Sequence, residues 1–197
     1  MRDIEFDCVD SVSALPYGYV KGNGRVVLIK AGRGGDYCGY DNKYLQIAQK
    51  LNEKYGYTVI CISNPVEEFS VECDREILDR VLSVEGIECD EIRLVGVSNG
   101  GIKVLQLGAS SLTASRIITV NMPLMVNFYK TVDSICACKG ARIVTVYGDR
   151  DPSFSYLPFL KMKDLPGVEI LTVHGADHQF VGMVSEFIDM TVELLGE

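Results

Sequence analysis

A few side chains in this sequence have the types to do covalent chemistry together. Ser98 lies inside "RLVGVSNGGIKVLQL", flanked two residues away on each side by Gly96 and Gly100. Asp149 and Asp151 lie in "YGDRDP", and His178 lies in "HGADHQF", a stretch that His174 opens. A serine hydroxyl is a poor nucleophile at neutral pH. It needs a base to take its proton, and the base needs an acid that fixes its tautomer and stabilises its charged form. Ser98, His178 and one of the two aspartates supply those three types. Asp177, beside His178, is expected to brace its loop. His174 is expected to be packed or hydrogen-bonded rather than catalytic.

Such a set works only if the chain brings it together. Leu94, Val95 and Val97 read as the end of a buried strand, and Ile102, Leu105 and Ala109 fall at helical spacing, so Ser98 sits on the turn between them. A tight strand-to-helix turn brings backbones close, and side chains in place of Gly96 and Gly100 would clash. A helix starting beside Ser98 also aims its free amides at the reacting centre.

The same alternation runs through the chain. "RVVLIKA", "YTVICI", "EIRLVGV", "SRIITVNM", "ARIVTVYG" and "GVEILTV" read as strands. "DNKYLQIAQKLNEKYG", "SVECDREILDRVLSVEG", residues 99–109, a short piece near 126–135 and "FVGMVSEFIDMTVELLG" read as helices, the first two closed by Gly56 and Gly86. Before them, "DIEFDCV" and "YGYVKG" read as two strands joined by a turn at Pro16 and Gly18, forming an antiparallel edge. The expectation is one α/β domain over residues 1–197, with a mostly parallel eight-stranded sheet and helices on both faces. Functional sites of such sheets collect at the carboxyl ends of the strands. Ser98, the aspartates and His178 all follow strands there.

The chain has 197 residues, enough for one domain with a sizeable core, and a formal charge of −8. That charge disfavours nucleic acid and anionic membrane surfaces as partners and favours a small-molecule acyl substrate. "MRDIEFDCVD" lacks the apolar run of a signal peptide, no stretch has the length of a membrane span, and a cytoplasmic location is expected. Seven cysteines, an odd number without a secretory signal, read as reduced thiols. Cys136 and Cys138 lack a second pair or a nearby histidine, so neither a metal nor another cofactor is assigned.

"GVSNG" resembles the Gly-x-Ser-x-Gly nucleophile elbow of the α/β-hydrolase superfamily, and "GDRDP" and "GADHQF" resemble its acid and histidine loops, in its order of serine, acid, histidine. The resemblance covers nearly the whole chain. It implies the α/β-hydrolase fold and makes Asp151, three residues after Gly148, the acid in preference to Asp149. One oxyanion donor is then the amide of Asn99. The other comes from "KAGRGGDYCGY", which resembles His-Gly-x-Gly-Gly with Ala31 in place of the histidine. This puts Arg33 at the donor position, with Gly34 as the alternative. The Arg33 side chain either binds an anionic substrate group or pairs with Asp36 on the surface.

The interval "PLMVNFYKTVDSICACKG" has room for one helix, so no lid domain is expected. Met122, Phe128, Tyr129 and Phe154, with Leu124, Met125 and Tyr156, are candidates to line an apolar acyl pocket, or else are core. The activity expected is hydrolysis of a carboxylic ester or thioester through an acyl-enzyme. An amidase or peptidase with the same residues, or a non-catalytic binding protein of the same fold, are the alternatives.

Overall fold

A computed structural model describes residues 15–67, 69–110 and 113–196. Seven strands, β1 (Tyr17–Val20), β2 (Asn23–Lys30), β3 (Tyr57–Ile62), β4 (Glu91–Val97), β5 (Arg116–Val120), β6 (Arg142–Gly148) and β7 (Val168–Val173), form one sheet in the order β1-β3-β2-β4-β5-β6-β7. Among the described strands only β1 runs antiparallel, pairing with β3. It is the second of the two strands expected near the N-terminus; the first, in "DIEFDCV", lies outside the described residues, as does Cys8.

Among the described residues six α-helices cover the sheet: α1 (Lys43–Tyr55), α2 (Val71–Glu85), α3 (Asn99–Ala109), α4 (Leu124–Ala137), α5 (Leu157–Lys161) and α6 (Val184–Gly196). Strand side chains alternate between two cores, as the two-residue period of a strand requires. Val26 and Leu28 of β2 pack with Ile77 of α2, Leu105 of α3 and Leu124 of α4 on one face. Val27 and Ile29 pack with Ile47 of α1 and Phe187 of α6 on the other. Near-continuous apolar strands are the consequence of burying both faces.

The structure adds one helical segment and trims another. "PSFSYLPFLK" was expected only as loop, yet Pro152–Tyr156 makes a 3₁₀ turn that runs into α5. Pro152 and Pro158 stand at first-turn positions, where a missing N–H costs nothing. The last helix starts at Val184, later than "FVGM" suggests, because Phe180 (φ 59°) and Gly182 (φ 74°) hold a turn there. The segment between β5 and β6 carries α4. No helix among the described residues is long and apolar enough to cross a membrane.

Beneath the carboxyl end of the sheet lies a buried ion pair. Lys30, the last residue of β2, places its ammonium 2.6 Å from Asp74 of α2, with the two side chains 2 % and 3 % exposed. The same ammonium donates to the carbonyl of Ser63 at 2.8 Å. The pair thus pins β2, α2 and the end of β3 together just below the loop that begins at Ala31. Removing one partner strands a buried charge. Asp74→Ala should therefore lower unfolding free energy by roughly 3–5 kcal/mol, while Lys30→Met with Asp74→Leu should recover most of that loss, as measured by urea denaturation.

Candidate active site

The turn between β4 and α3 is built by backbone contact. A Cβ on Gly96 would lie 2.3 Å from the Gly100 carbonyl oxygen, and one on Gly100 would lie 2.4 Å from that of Ala31. Neither position admits a side chain. Ser98, at the apex, adopts φ 53° and ψ −125°, a conformation that costs a non-glycine residue free energy and persists only where its surroundings enforce it. Its amide donates to the carbonyl of Val120 at 2.7 Å, which ties the turn to the end of β5.

His178 reaches that apex from the loop after β7. Its Nε2 is 3.0 Å from Ser98 Oγ, and its Nδ1 is 2.5 Å from Asp151 Oδ2. An ionised carboxylate only accepts, so Nδ1 carries the proton and Nε2 turns its lone pair to the serine hydroxyl. The Asp151 side chain is fully buried, and its Oδ1 accepts from the Ser153 amide at 2.7 Å. Both oxygens are thereby fixed.

Asp149 faces the other histidine. Its Oδ2 is 2.6 Å from His174 Nδ1, its Oδ1 accepts from the Gly175 amide, and the His174 side chain is 97 % exposed. The Gly175 amide, then His174, hold the Asp149 carboxyl below the usual carboxylate range. Asp177 braces the histidine loop, accepting at Oδ1 from the amides of Gln179 and Val181, contacts that also lower its pKa.

The amides of the loop after β2 are mostly engaged. Ala31 donates to the carbonyl of Ile62 at 3.0 Å, Gly34 to that of Asn64 at 2.7 Å, and Gly35 to that of Gly32 at 2.9 Å. The Arg33 amide has no such partner among the described residues. The Asn99 amide, first of α3, has no intrahelical acceptor. Of the two loop positions considered as donor, only Arg33 remains open, since Asn64 occupies Gly34.

Two asparagines that sequence reasoning missed hold these loops. Asn64 donates from Nδ2 to the Ala31 carbonyl at 3.0 Å and to Asn99 Oδ1 at 3.1 Å, bracing the loop that lacks a histidine at position 31. Asn121, fully buried after β5, accepts from the Gly148 amide at 2.9 Å and donates to the carbonyls of Asp177 and His178. It joins the acid loop to the histidine loop. Asn121 directly follows β5 and Asn64 lies two residues after β3, so the rule that singled out Ser98 would have found them had it been applied to neutral amides.

A cavity of about 380 Å³ opens over Ser98 and His178, lined also by residues 32–36, Tyr40, Lys43, Tyr44 and Gln179. Its lining corrects the expected acyl pocket. Met122 is fully buried against Gly101, while Phe128, Tyr129 and Phe154 do not line the cavity. Phe128 and Tyr129 belong to α4, which packs on α3, and Phe154 to the 3₁₀ turn, which packs on α4; Phe128 and Phe154 face the core there, and Tyr129 is 73 % exposed. Arg33 is exposed and makes no ion pair among the described residues. Asp36, its expected partner, instead accepts at Oδ1 from the amides of Cys38 and Gly39.

No protein-family model matches the chain, and no curated protein matches its sequence. Solved structures do resemble it. A putative α/β hydrolase of unknown function from Agrobacterium tumefaciens is 19 % identical, with 92 % of this chain and 90 % of that one covered at a TM-score of 0.72. An α/β serine hydrolase homologue from Coxiella burnetii is 17 % identical over 96 % of both chains, also at 0.72. The esterase domain of a Rhodothermus marinus protein is 15 % identical, covering 92 % and 90 %, at 0.67.

Asn121 gives a direct test of how the loops are held. Asn121→Ala should cost roughly 1–3 kcal/mol of stability in urea denaturation, because it leaves buried backbone groups without partners. Asn121→Asp should cost at least as much. It keeps the acceptor for Gly148 but sets a carboxylate against two carbonyl oxygens.

Proposed function

We propose that this chain, which has the α/β-hydrolase fold, is a serine hydrolase that cleaves a carboxylic ester or thioester of a small molecule through an acyl-enzyme. The observation that carries this reading is the line of contacts from Ser98 Oγ through His178 to buried Asp151. The hydrolase and esterase described for the similar structures support the same reaction class.

In the proposed reaction, Ser98 Oγ attacks the acyl carbon as His178 Nε2 takes its proton, and the buried Asp151 carboxylate stabilises the imidazolium. The carbonyl oxygen, now negative, is met by the backbone amides of Arg33 and Asn99. The tetrahedral adduct collapses, the C–O or C–S bond breaks, and His178 returns the proton to the departing alkoxide or thiolate. Water then attacks the acyl-enzyme, giving one proton to His178. That proton passes back to Ser98 Oγ as the acid leaves. Asp149 takes no part, since its carboxylate is committed to His174 and Gly175.

A neutral fluorophosphonate tests the nucleophile. It should label Ser98 covalently, and absence of labelling would remove the activated hydroxyl on which the proposal rests. Ser98→Ala should lower kcat for p-nitrophenyl esters by about 10⁴-fold or more while the protein stays folded. Asp151→Asn should lower kcat far more than Asp149→Asn. The reverse ranking would mean that the histidine is oriented by the other acid.

A further inference from the structure

Two lysines in this fold are buried, and they are treated differently. Lys30 has its carboxylate, Asp74, at 2.6 Å. Lys43, the first residue of α1, is 4 % exposed and lines the cavity over Ser98, yet it has no carboxylate within ion-pair distance among the described residues. Its ammonium donates to the carbonyl of Gln179 at 3.3 Å and lies 4.4 Å from the centre of the Phe187 ring and 5.6 Å from that of Tyr44. One hydrogen bond and two ring faces leave most of its donor capacity unused. Burial pushes its pKa down to about 8, opposed by the more distant charge of Asp177. Burying a cation without a counter-charge is costly, and the fold shows at Lys30 that it can supply one.

A second cation, Arg33, stands on the same cavity without an ion-pair partner among the described residues. Asp36 also lines the cavity, but one of its oxygens is held by two backbone amides. In a chain of formal charge −8, a cavity with two uncompensated cations beside a serine–histidine pair is a local exception to the surface as a whole. We propose that this cavity selects acyl substrates with a second, anionic end: half-esters or half-thioesters of dicarboxylic acids, whose free carboxylate is held by Lys43 and Arg33. Of the two cations only the Lys43 ammonium is buried, whereas Arg33 is exposed and screened by water, so a single desolvated positive charge favours a carboxylate over a phosphate dianion. The inference deepens the hydrolase reading and rests on it for the reaction, but the anion site itself does not need turnover.

The matched pair of p-nitrophenyl hydrogen adipate and its methyl ester separates charge from shape. Wild-type kcat/KM should favour the half-ester by roughly tenfold or more, the range expected for a charge-assisted contact in a partly desolvated site. Lys43→Met should cut that preference by a similar factor and raise the melting temperature, since it removes an unpaired buried charge. A lysine that served only to hold Gln179 would lower the melting temperature when lost and slow both esters alike. Arg33→Gln, at an exposed position, should also reduce the preference. In parallel, adipate should raise the melting temperature of the Ser98→Ala protein where dimethyl adipate does not. Equal rates on the two esters without an adipate shift would overturn the anion site while leaving the hydrolase reading standing. An adipate shift that Lys43→Met abolishes, in a protein that hydrolyses neither ester, would support the site and overturn the hydrolase reading.

Discussion

The site depends on one contact between backbones: the first turn of α3 lies directly against the end of β2. Gly100 is close enough to Lys30 and Ala31 that an added Cβ would stand 2.5 Å and 2.4 Å from their carbonyl oxygens. That approach sets the serine turn beside the loop carrying the Arg33 amide, so the Ser98 hydroxyl and the amides of Arg33 and Asn99 become neighbours. Lys30, buried against Asp74 and Ser63, keeps the end of β2 from yielding beneath it. Asn64 closes the gap from the side, spanning Ala31 and Asn99. The same device recurs across the site, where a Cβ on Gly148 would lie 2.2 Å from the Ala176 carbonyl oxygen. There it draws the acid strand against the histidine loop.

Two aspartate–histidine pairs stand on the same edge of the sheet, and burial separates them. Asp149 and His174 have contacts as short as those of Asp151 and His178, but the imidazole of His174 is almost wholly exposed. Water screens that pair and competes for both partners. Asp151 is shielded completely, so its charge acts on the His178 ring in a medium where such an interaction is far stronger. Distance alone would not have chosen between them.

Much of this was legible in the sequence because it followed from period and position. Apolar, β-branched runs and glycine-closed helices marked β2 to β7 and the long helices; residues after strand ends gave Ser98, His178 and the two aspartates, Asp149 and Asp151, between which the α/β-hydrolase resemblance preferred Asp151. What escaped depended on packing between distant segments. Met122 belongs to the core because Gly101 leaves room for it, a fact carried by α3 rather than by the segment around Met122. Asn64 and Asn121 act through neutral side chains with no pattern of their own. The cavity forms on the side of α1 and the 32–36 loop because α4 packs down onto α3 and the 3₁₀ turn, an outcome that apolar composition alone does not reveal.

Local strain follows the same geography. Non-glycine residues with positive φ include Asp41 and Asn42 just before Lys43, Ser98 itself, Asn121 and Phe180; Asp164 stands apart from them. Each of the first five lies in a segment that lines or braces the cavity, and such conformations cost of order 1–3 kcal/mol apiece. A chain selected only for stability would relieve them with glycine or a different turn. Their concentration means that the free energy of the well-packed sheet is used to hold one small region in an arrangement it would not adopt alone. The uncompensated ammonium of Lys43 belongs to that region too, a local cost set beside strained backbone at the mouth of the same cavity.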